Sequence, residues 1–242
     1  MTKLDLLAFA AHPDDVELAC AGTIAIHTAM GKKVGIVDLT RGELGTRGTP
    51  ELREEEAQKA SEILKIHYRA NLGFADGFFS IDKDHLLPVI QQIRACQPQV
   101  ILANAIEDRH IDHPKGAKLV HEAAFLAGLA KIETYDTEGN LQAPWRPAQM
   151  YHYIQDRWIQ PHLLIEVNHV WQQRMDAVKA FKSQFYDPES DQPETPISSK
   201  DFWEFLEARA RNFGRLINVS LAEGFTKATP IGVTNLFETT LL

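Results

Sequence analysis

The segment Ala11-His12-Pro13-Asp14-Asp15 follows directly on the apolar run at residues 6–10, and this junction constrains the chain more than any other part of the sequence. A short apolar run is typical of a buried strand, and open α/β sheets build their sites at the carboxyl ends of such strands. One imidazole and two carboxylates there suit a divalent metal such as Zn²⁺, with one carboxylate left to act as a base. A turn rich in helix-capping residues would explain the proline and one aspartate, but not His12.

Short apolar runs alternate with helical patterns over residues 1–132. This alternation predicts an α/β fold of the Rossmann-like, doubly wound type, with a mainly parallel sheet, helices on both faces and the metal site at the carboxyl edge of the strands. The predicted strands are 6–10, 34–39, 68–72, 100–103, 150–154 and 163–166. The predicted helices are 16–30, 50–66, 83–96, 114–132, 170–184 and 200–219.

We expect one domain over residues 1–242, with the core βα units in residues 1–132 and further strands, helices and loops in residues 133–242. The stretch 186–199 holds three prolines and several acids, which predicts a long loop. A loop of this length in a compact domain is often functional, so we expect a lid or an assembly contact there.

The composition of the chain limits the kinds of molecule that we expect the protein to bind. The chain has 33 acidic and 25 basic residues, a net charge of -8, which argues against binding to nucleic acid or to an anionic membrane surface. No apolar run approaches the roughly 18 residues of a membrane span. The N-terminus has no secretory pattern, and only two cysteines occur, so we expect a cytoplasmic protein without disulfides. The turn after the first strand lacks G-x-G-x-x-G, which argues against an NAD enzyme.

A second polar cluster, at residues 107–114, follows the predicted strand 100–103 and contains His110, Asp112 and His113. A lone histidine at a helix start is more often a cap or a surface residue than a metal ligand. Two histidines flanking an aspartate, at the same sheet edge as the first cluster, favour a metal site instead.

A catalytic zinc needs three protein ligands and one open position. His12, one of Asp14 and Asp15, and one of His110 and His113 would supply this set. The spacing alone does not decide which member of each pair binds the metal. The remaining carboxylate and imidazole suit a general base and a donor to a tetrahedral oxyanion, as amide hydrolysis requires.

The stretch 40–53 contains three glycines at a spacing of three, which allows a close approach to a ligand or simply a flexible connection. It leads into a helix start at Thr49-Pro50-Glu51. Arg53 lies in the first turn of that helix, where a cation is disfavoured by the helix dipole. Either residues 54–56, all glutamates, compensate its charge, or Arg53 points into the crevice and holds an anionic part of the substrate.

With these motifs assembled, the chain resembles the zinc-dependent N-acetylglucosamine deacetylases of the PIG-L/LmbE-like family. The matching stretches are 11–15, 40–46, 51–56 and 110–113. Residues 222–225, with Pro230 shortly after them, and the Arg-His-Ile-Asp-His form of the second cluster are similar to the branch that deacetylates N-acetyl-α-D-glucosaminyl L-malate in bacillithiol biosynthesis.

The resemblance implies a division of labour between the two aspartates of the first cluster. It assigns His12, Asp15 and His113 as ligands of Zn²⁺, with Fe²⁺ as an alternative metal. It makes Asp14 the general base that activates water and then returns the proton to the departing amine.

The resemblance also implies that His110 stabilises the oxyanion and that Asp112 orients an imidazole. Arg53 and Arg109 would then bind a small anionic glycoside substrate. Members of this branch tend to be trimers or hexamers, so we expect a homo-oligomer.

Two other functions remain open from the sequence. A broader deacetylase of chito-oligosaccharides, or of another N-acetylglucosaminyl conjugate, would share the sugar half of the substrate. A non-catalytic metal- or sugar-binding module would need only one of the two adjacent aspartates, and the presence of both favours an enzyme.

Overall fold

The fold is organised around one seven-stranded sheet in a computed structural model that describes residues 3–186 and 191–238. The strands are β1 (Leu6–Ala10), β2 (Val34–Thr40), β3 (Tyr68–Phe74), β4 (Val100–Ala103), β5 (Gln149–Tyr153), β6 (Leu163–Glu166) and β7 (Ala222–Thr226). They lie in the order β3-β2-β1-β4-β5-β7-β6. The first five pair in parallel, and β7 runs antiparallel to β5 and β6. The predicted α/β class with a mainly parallel sheet is confirmed.

Helices cover both faces of the sheet, as predicted. Over the described residues they are α1 (Asp15–Ala29), α2 (Pro50–Leu64), α3 (Lys83–Cys96), α4 (Asp112–Ala127), α5 (Trp171–Lys179) and α6 (Lys200–Leu216), with 3₁₀ turns at Asn168–Val170 and Leu236–Glu238. Side chains of β1 alternate between the faces because successive residues of a strand point to opposite sides. Leu6, Ala8 and Ala10 pack against α1, whereas Leu7 and Phe9 pack with α3 and α4.

The region after α5 departs from the predicted helix 170–184, since the helix ends at Lys179. Phe181 and Phe185 are instead buried beside α2 and α6. The backbone N–H of Ser183 donates to Glu56 Oε1 at 2.7 Å, so a side chain of α2 takes the place of a helical partner. The spacing of hydrophobic residues remains typical of a helix beyond Lys179, which is why the longer helix was predicted. In the structure, the residues that follow contact α2 and α6 instead.

Strand β7 was not predicted from the sequence, because its pattern Ala-Glu-Gly-Phe-Thr has no apolar alternation. Its five residues are nevertheless all buried. The carboxylate of Glu223 accepts hydrogen bonds from the backbone N–H groups of Gly22 and Thr23, at 2.9 and 2.7 Å. A Cβ at Gly224 would lie 2.8 Å from the ring of Phe213. Tertiary contacts therefore specify this strand.

The predicted loop at 186–199 is described only in part, because residues 187–190 lie outside the described residues. Ser199 ends it as the N-cap of α6, where its hydroxyl accepts from the backbone N–H of Phe202. A role as a lid or an assembly contact stays a prediction. Over the described part of the chain, no helix has the length and hydropathy needed to cross a bilayer.

Replacing Glu223 with alanine should lower the free energy of unfolding by about 3–5 kcal/mol, the range for removing one partner of a buried ion pair. The Nε of Arg174 lies 3.3 Å from Glu223 Oε1, and both side chains are almost fully buried. The variant therefore leaves a buried guanidinium without its carboxylate. Urea denaturation measures the loss.

The matched control is Glu207→Ala, which removes an exposed glutamate paired with Arg211 one helical turn away. Such pairs contribute about 0.3–0.5 kcal/mol. Equal losses in the two variants would contradict a structural role for the buried pair.

Candidate active site

The two polar clusters come together because β1 and β4 are adjacent parallel strands. The first cluster follows β1 at residues 11–15, and the second, at residues 107–114, follows β4. The carboxyl ends of parallel neighbours meet at one edge of the sheet, so the two turns face each other. The segments after β3 and β5 add further polar side chains to the same edge.

His113 and Asp15 form the closest pair between the clusters, with Nε2 of the histidine 3.1 Å from Oδ1 of the aspartate. The other ring nitrogen of His113, Nδ1, is hydrogen-bonded to the carboxylate of Asp108. A histidine whose second nitrogen binds a carboxylate is the usual arrangement of a metal ligand, because that bond fixes the tautomer and the ring orientation. His113 therefore presents Nε2 toward Asp15.

Charge reinforces this pair. Burial alone would raise the pKa of Asp15, but His113 and His12 overcome that effect. They hold the pKa of Asp15 well below its usual value. Burial alone would lower the pKa of His113, but Asp15 and Asp108 raise it to about 9. Asp15 is thus held as an anion beside a strongly basic imidazole.

His12 is the third buried member of the centre. Its Nδ1 lies 3.7 Å from Oδ2 of Asp15. Its Nε2 lies 3.1 Å from Oδ1 of Asp76 and 3.5 Å from Oδ2 of Asp112. Asp112 thus lies where it can orient the ring of His12, and the nitrogen that faces Asp15 is Nδ1.

Asp76 links this centre to the glycine-containing stretch after β2. Its Oδ2 accepts the backbone N–H of Leu44 at 3.0 Å, and its own N–H donates to Oε1 of Glu43 at 2.8 Å. The stretch 40–53 is therefore bonded to the partner of His12. This stretch therefore lies beside the site, and its close approach to a ligand stays a prediction.

His110 lies at the open side of the centre and is half-buried. Its ring centroid is 4.6 Å from that of His12 and 5.2 Å from that of His113. Burial lowers the pKa of His110, and the neighbouring histidines lower it further. A neutral imidazole at this place can donate one N–H to a bound group.

The donor chemistry fits a borderline divalent cation. Among the described residues, His12, His110 and His113 each offer a ligand atom within 4.8 Å of the others, and so does the group His12, Asp76 and Asp112. Mixed imidazole and carboxylate donors suit zinc or ferrous iron, whereas calcium and magnesium prefer oxygen alone. Asp15, 3.1 Å from His113, adds a carboxylate donor to the first group.

Asp14, next to the donor Asp15 in the chain, is paired with a cation. Its Oδ2 accepts from Nη2 of Arg53 at 2.8 Å, and both side chains are buried. Burial raises the pKa of Asp14 to about 6, although the charge of Arg53 opposes the rise. The backbone of Asp14 has φ 122°, a conformation rare for a residue with a side chain and often found at functional sites.

The contacts of Arg53 add a third explanation for its position, one that the sequence did not offer. Its guanidinium binds Asp14 and, at 3.1 Å, the carbonyl oxygen of Gly42. Two of the neighbouring glutamates have other partners: Glu54 lies 3.7 Å from Arg41, and Glu56 accepts from Ser183. The anion that faces Arg53 in the structure is Asp14, and a contact of the guanidinium with a substrate carboxylate stays a prediction.

Gly42 makes this arrangement possible. Its φ is +65°, and a Cβ there would lie 1.8 Å from Nη1 of Arg53. Only glycine accommodates both the backbone conformation and the approach of the guanidinium. The glycine pattern of the sequence thus serves the contact between Arg53 and the turn after β2.

Arg109, the second residue expected to bind substrate, lies apart from the buried centre. Its exposed side chain pairs with Asp156 at 3.0 Å. It belongs to the same loop as His110 and remains accessible. Its role toward a substrate stays a prediction.

Four side chains of the centre were not assigned a role from the sequence. Each lies in a loop after a strand of the sheet, and that position is the signal that could have singled them out. They are Asp76 after β3, Asn104 and Asp108 after β4, and Gln155 after β5. Asn104 and Gln155 donate to Oδ2 and Oδ1 of Asp15 at 2.9 and 3.0 Å.

Comparison with known proteins gives a consistent result for the family. The model of the PIG-L family, described as GlcNAc-PI de-N-acetylase, matches residues 7–124. That range contains all of β1 except its first residue, β2 to β4 and both polar clusters.

Relatives extend the match to most of the chain. An uncharacterized deacetylase, YaiS of Escherichia coli K12, is 32% identical over 140 residues, which are 54% of this chain and 73% of that protein. The crystal structure of the conserved protein TT1542 from Thermus thermophilus has a TM-score of 0.84 at 36% identity, covering 96% of this chain and 98% of that one.

A third relative is named for a different reaction. The 4-oxalmesaconate hydratase of Pseudomonas putida is 27% identical over 199 residues, which are 74% of this chain and 73% of that enzyme. The family match, the coverage of the E. coli relative and the site motifs agree with one another. The chain belongs to the GlcNAc-PI de-N-acetylase family, and it is a hydrolytic N-deacetylase.

Proposed function

We propose that this enzyme is a Zn²⁺-dependent hydrolase that removes the N-acetyl group from an N-acetylglucosaminide. One observation carries the proposal: adjacent buried carboxylates have different partners. Asp15 faces His113 at 3.1 Å, whereas Asp14 faces Arg53 at 2.8 Å. A binding module would need only the first of these contacts. Amide hydrolysis needs a ligand and a separate base.

The chain's own residues account for most of the proposed chemistry. A metal held by His12, Asp15 and His113 would polarise the acetyl carbonyl and acidify water. Asp14, with its pKa raised to about 6 by burial, accepts a proton from the attacking water and returns it to the departing amine. Arg53 holds one oxygen of Asp14, which leaves the other to face the proton. His110 donates to the oxyanion.

For the substrate we propose N-acetyl-α-D-glucosaminyl L-malate in bacillithiol biosynthesis, processed in the cytoplasm by a homo-oligomer. For an anionic aglycone we propose Arg109 as the partner, because its side chain is exposed, although it also pairs with Asp156, whereas the buried Arg53 is bound to Asp14. The motif at residues 222–225 lies in the buried strand β7, so it supports the branch by resemblance and not by contact with substrate.

A broader deacetylase of chito-oligosaccharides is the second candidate, and the exposed position of Arg109 is compatible with it. The two candidate functions are distinguished by assaying a panel of N-acetyl-α-D-glucosaminyl malate, diacetylchitobiose and N-acetylglucosamine as substrates. Mass spectrometry measures the acetate released from each. The malate conjugate should have the highest kcat/KM. The panel includes 4-oxalmesaconate, because one relative is a hydratase. Hydration of that compound without acetate release from any sugar would overturn the proposal.

Asp14→Asn should reduce turnover by about 10²- to 10⁴-fold, the usual contribution of a general base, while zinc remains bound. Asp15→Asn should instead weaken zinc binding, because it removes a charged ligand beside His113. Metal content and turnover are measured on the same preparations. Loss of zinc from the Asp14 variant would reverse the two assignments.

His110→Ala should lower kcat by about 10²- to 10³-fold with zinc retained, the typical loss for one oxyanion donor. His12→Ala and His113→Ala should lose zinc, since each removes one of three proposed ligands. The comparison uses metal analysis after dialysis. Equal zinc loss from all three variants would refute a separate role for His110.

Arg53→Ala should lower kcat for neutral and anionic N-acetylglucosaminides alike, because Arg53 binds Asp14, the proposed general base for both kinds of substrate. A hydrogen bond to a charged group contributes about 1.5–3 kcal/mol, which corresponds to a loss of about 10- to 150-fold.

Arg109→Ala is the contrasting variant, since it removes an exposed cation near the site. It should raise KM for the malate conjugate and leave diacetylchitobiose unaffected. If Arg53→Ala affected only the anionic substrate, the role proposed for its contact with Asp14 would be wrong.

A further inference from the structure

Both carboxylate oxygens of Asp15 accept hydrogen bonds from neutral amides. Nε2 of Gln155 donates to Oδ1 at 3.0 Å, and Nδ2 of Asn104 donates to Oδ2 at 2.9 Å. All three side chains are buried. The contrast with Asp14 is informative, because a guanidinium partly neutralises that carboxylate, whereas amides orient Asp15 and leave its full charge available.

The orientation of the Gln155 amide is fixed by its acceptor side. Its Oε1 accepts the backbone N–H of Ala105 at 3.1 Å and Nδ2 of Asn104 at 3.0 Å. A rotated amide would place N–H groups against these donors. Its NH₂ group must therefore face Asp15, and it also lies 3.4 Å from Nε2 of His113.

Burying the side chain of Asn104 has a free-energy cost, and the contact with Asp15 explains why an amide is nevertheless present. Its Oδ1 is buried and has no hydrogen-bond partner among the described residues. An unsatisfied buried acceptor costs about 1–3 kcal/mol. An apolar side chain would avoid this cost, so the amide is accounted for by the two bonds of its Nδ2, to Asp15 and to Gln155.

The pair is anchored beyond the site. Gln155 follows β5, and its backbone carbonyl accepts from the guanidinium of Arg209 on α6. The same guanidinium donates to the carbonyl of Leu18 in α1 at 2.7 Å. One half-buried cation therefore holds the segment that carries Gln155 against the helix that begins with Asp15.

From this geometry we propose that Asn104 and Gln155 are positioning residues for the metal centre. They hold the carboxylate of Asp15 in the orientation that meets His113, and they contact neither the reacting atoms nor the substrate. The inference rests on the proposed metal-dependent function. Removing such an outer partner typically weakens metal affinity by about 10- to 100-fold.

The test is the Kd of the metal-free enzyme for Zn²⁺, measured in competition with a chromophoric chelator. Gln155→Leu and Asn104→Leu should each raise the Kd by about 10- to 100-fold. The matched control is Gln184→Leu, since Gln184 is exposed by the same 5% as Gln155. The amide of Gln184 donates to Arg47 and Ser183, so this variant should keep the wild-type Kd.

A further variant tests whether the side chain at position 155 faces Asp15 in solution. Gln155→Glu keeps an acceptor for Ala105 but places a second carboxylate oxygen beside Asp15. The metal-free Tm should fall because like charges meet, while Zn²⁺ affinity should equal or exceed that of wild type because a cation relieves the repulsion. Zinc should therefore raise the Tm of this variant more than that of wild type.

The outcomes distinguish this inference from the proposed reaction. A wild-type Kd in Gln155→Leu or Asn104→Leu, with only the Tm lowered, would overturn the positioning role and leave the reaction standing. Normal zinc binding by wild type without deacetylation of any substrate would overturn the reaction and leave the positioning role standing. If either leucine variant fails to fold, the other one decides the question.

Discussion

The adjacency of β1 and β4 is the constraint on which the candidate site depends. The helix after β1 covers one face of the sheet, and the helix after β4 covers the other. The two connections therefore diverge at the sheet edge and leave a crevice between them, as at the switch points of other doubly wound sheets. His12 and Asp15 reach this crevice from one side, and His113 reaches it from the other.

Two neighbouring aspartates acquire different properties from this arrangement. Burial raises the pKa of Asp14 to about 6, whereas the imidazoles beside Asp15 hold its pKa well below the usual value. When their environments separate the pKa values of two carboxylates, one can exchange protons and the other can stay charged. Enzymes use this difference to give two roles to the same residue type. The backbone of Asp14, between His12 and Asp15, has a positive φ.

The sequence was sufficient for the parts of the fold and site that depend on local pattern. The parallel strands, the helix starts and the two polar clusters follow from residues close together in the chain. The partners did not follow, because they come from remote segments: Asp76 is 64 residues from His12, and Gln155 is 140 residues from Asp15. The charge of Arg53 was noticed from its unfavourable position, but its partner Asp14 could be identified only in three dimensions.

Strand β7 has a consequence for the order in which the chain can fold. It lies between β5 and β6, so within the described sheet β6 has no neighbour other than a strand that comes much later in the chain. During synthesis, the parallel core formed by β1 to β5 can assemble before β7 has been made. At that stage the backbone groups of β6 have no strand to pair with. Residues 222–226 then complete the sheet. Their Glu223 supplies the carboxylate that accepts from the N–H groups of Gly22 and Thr23 in α1. The strand of this sheet that is synthesised last thus closes the structure that the first strand begins.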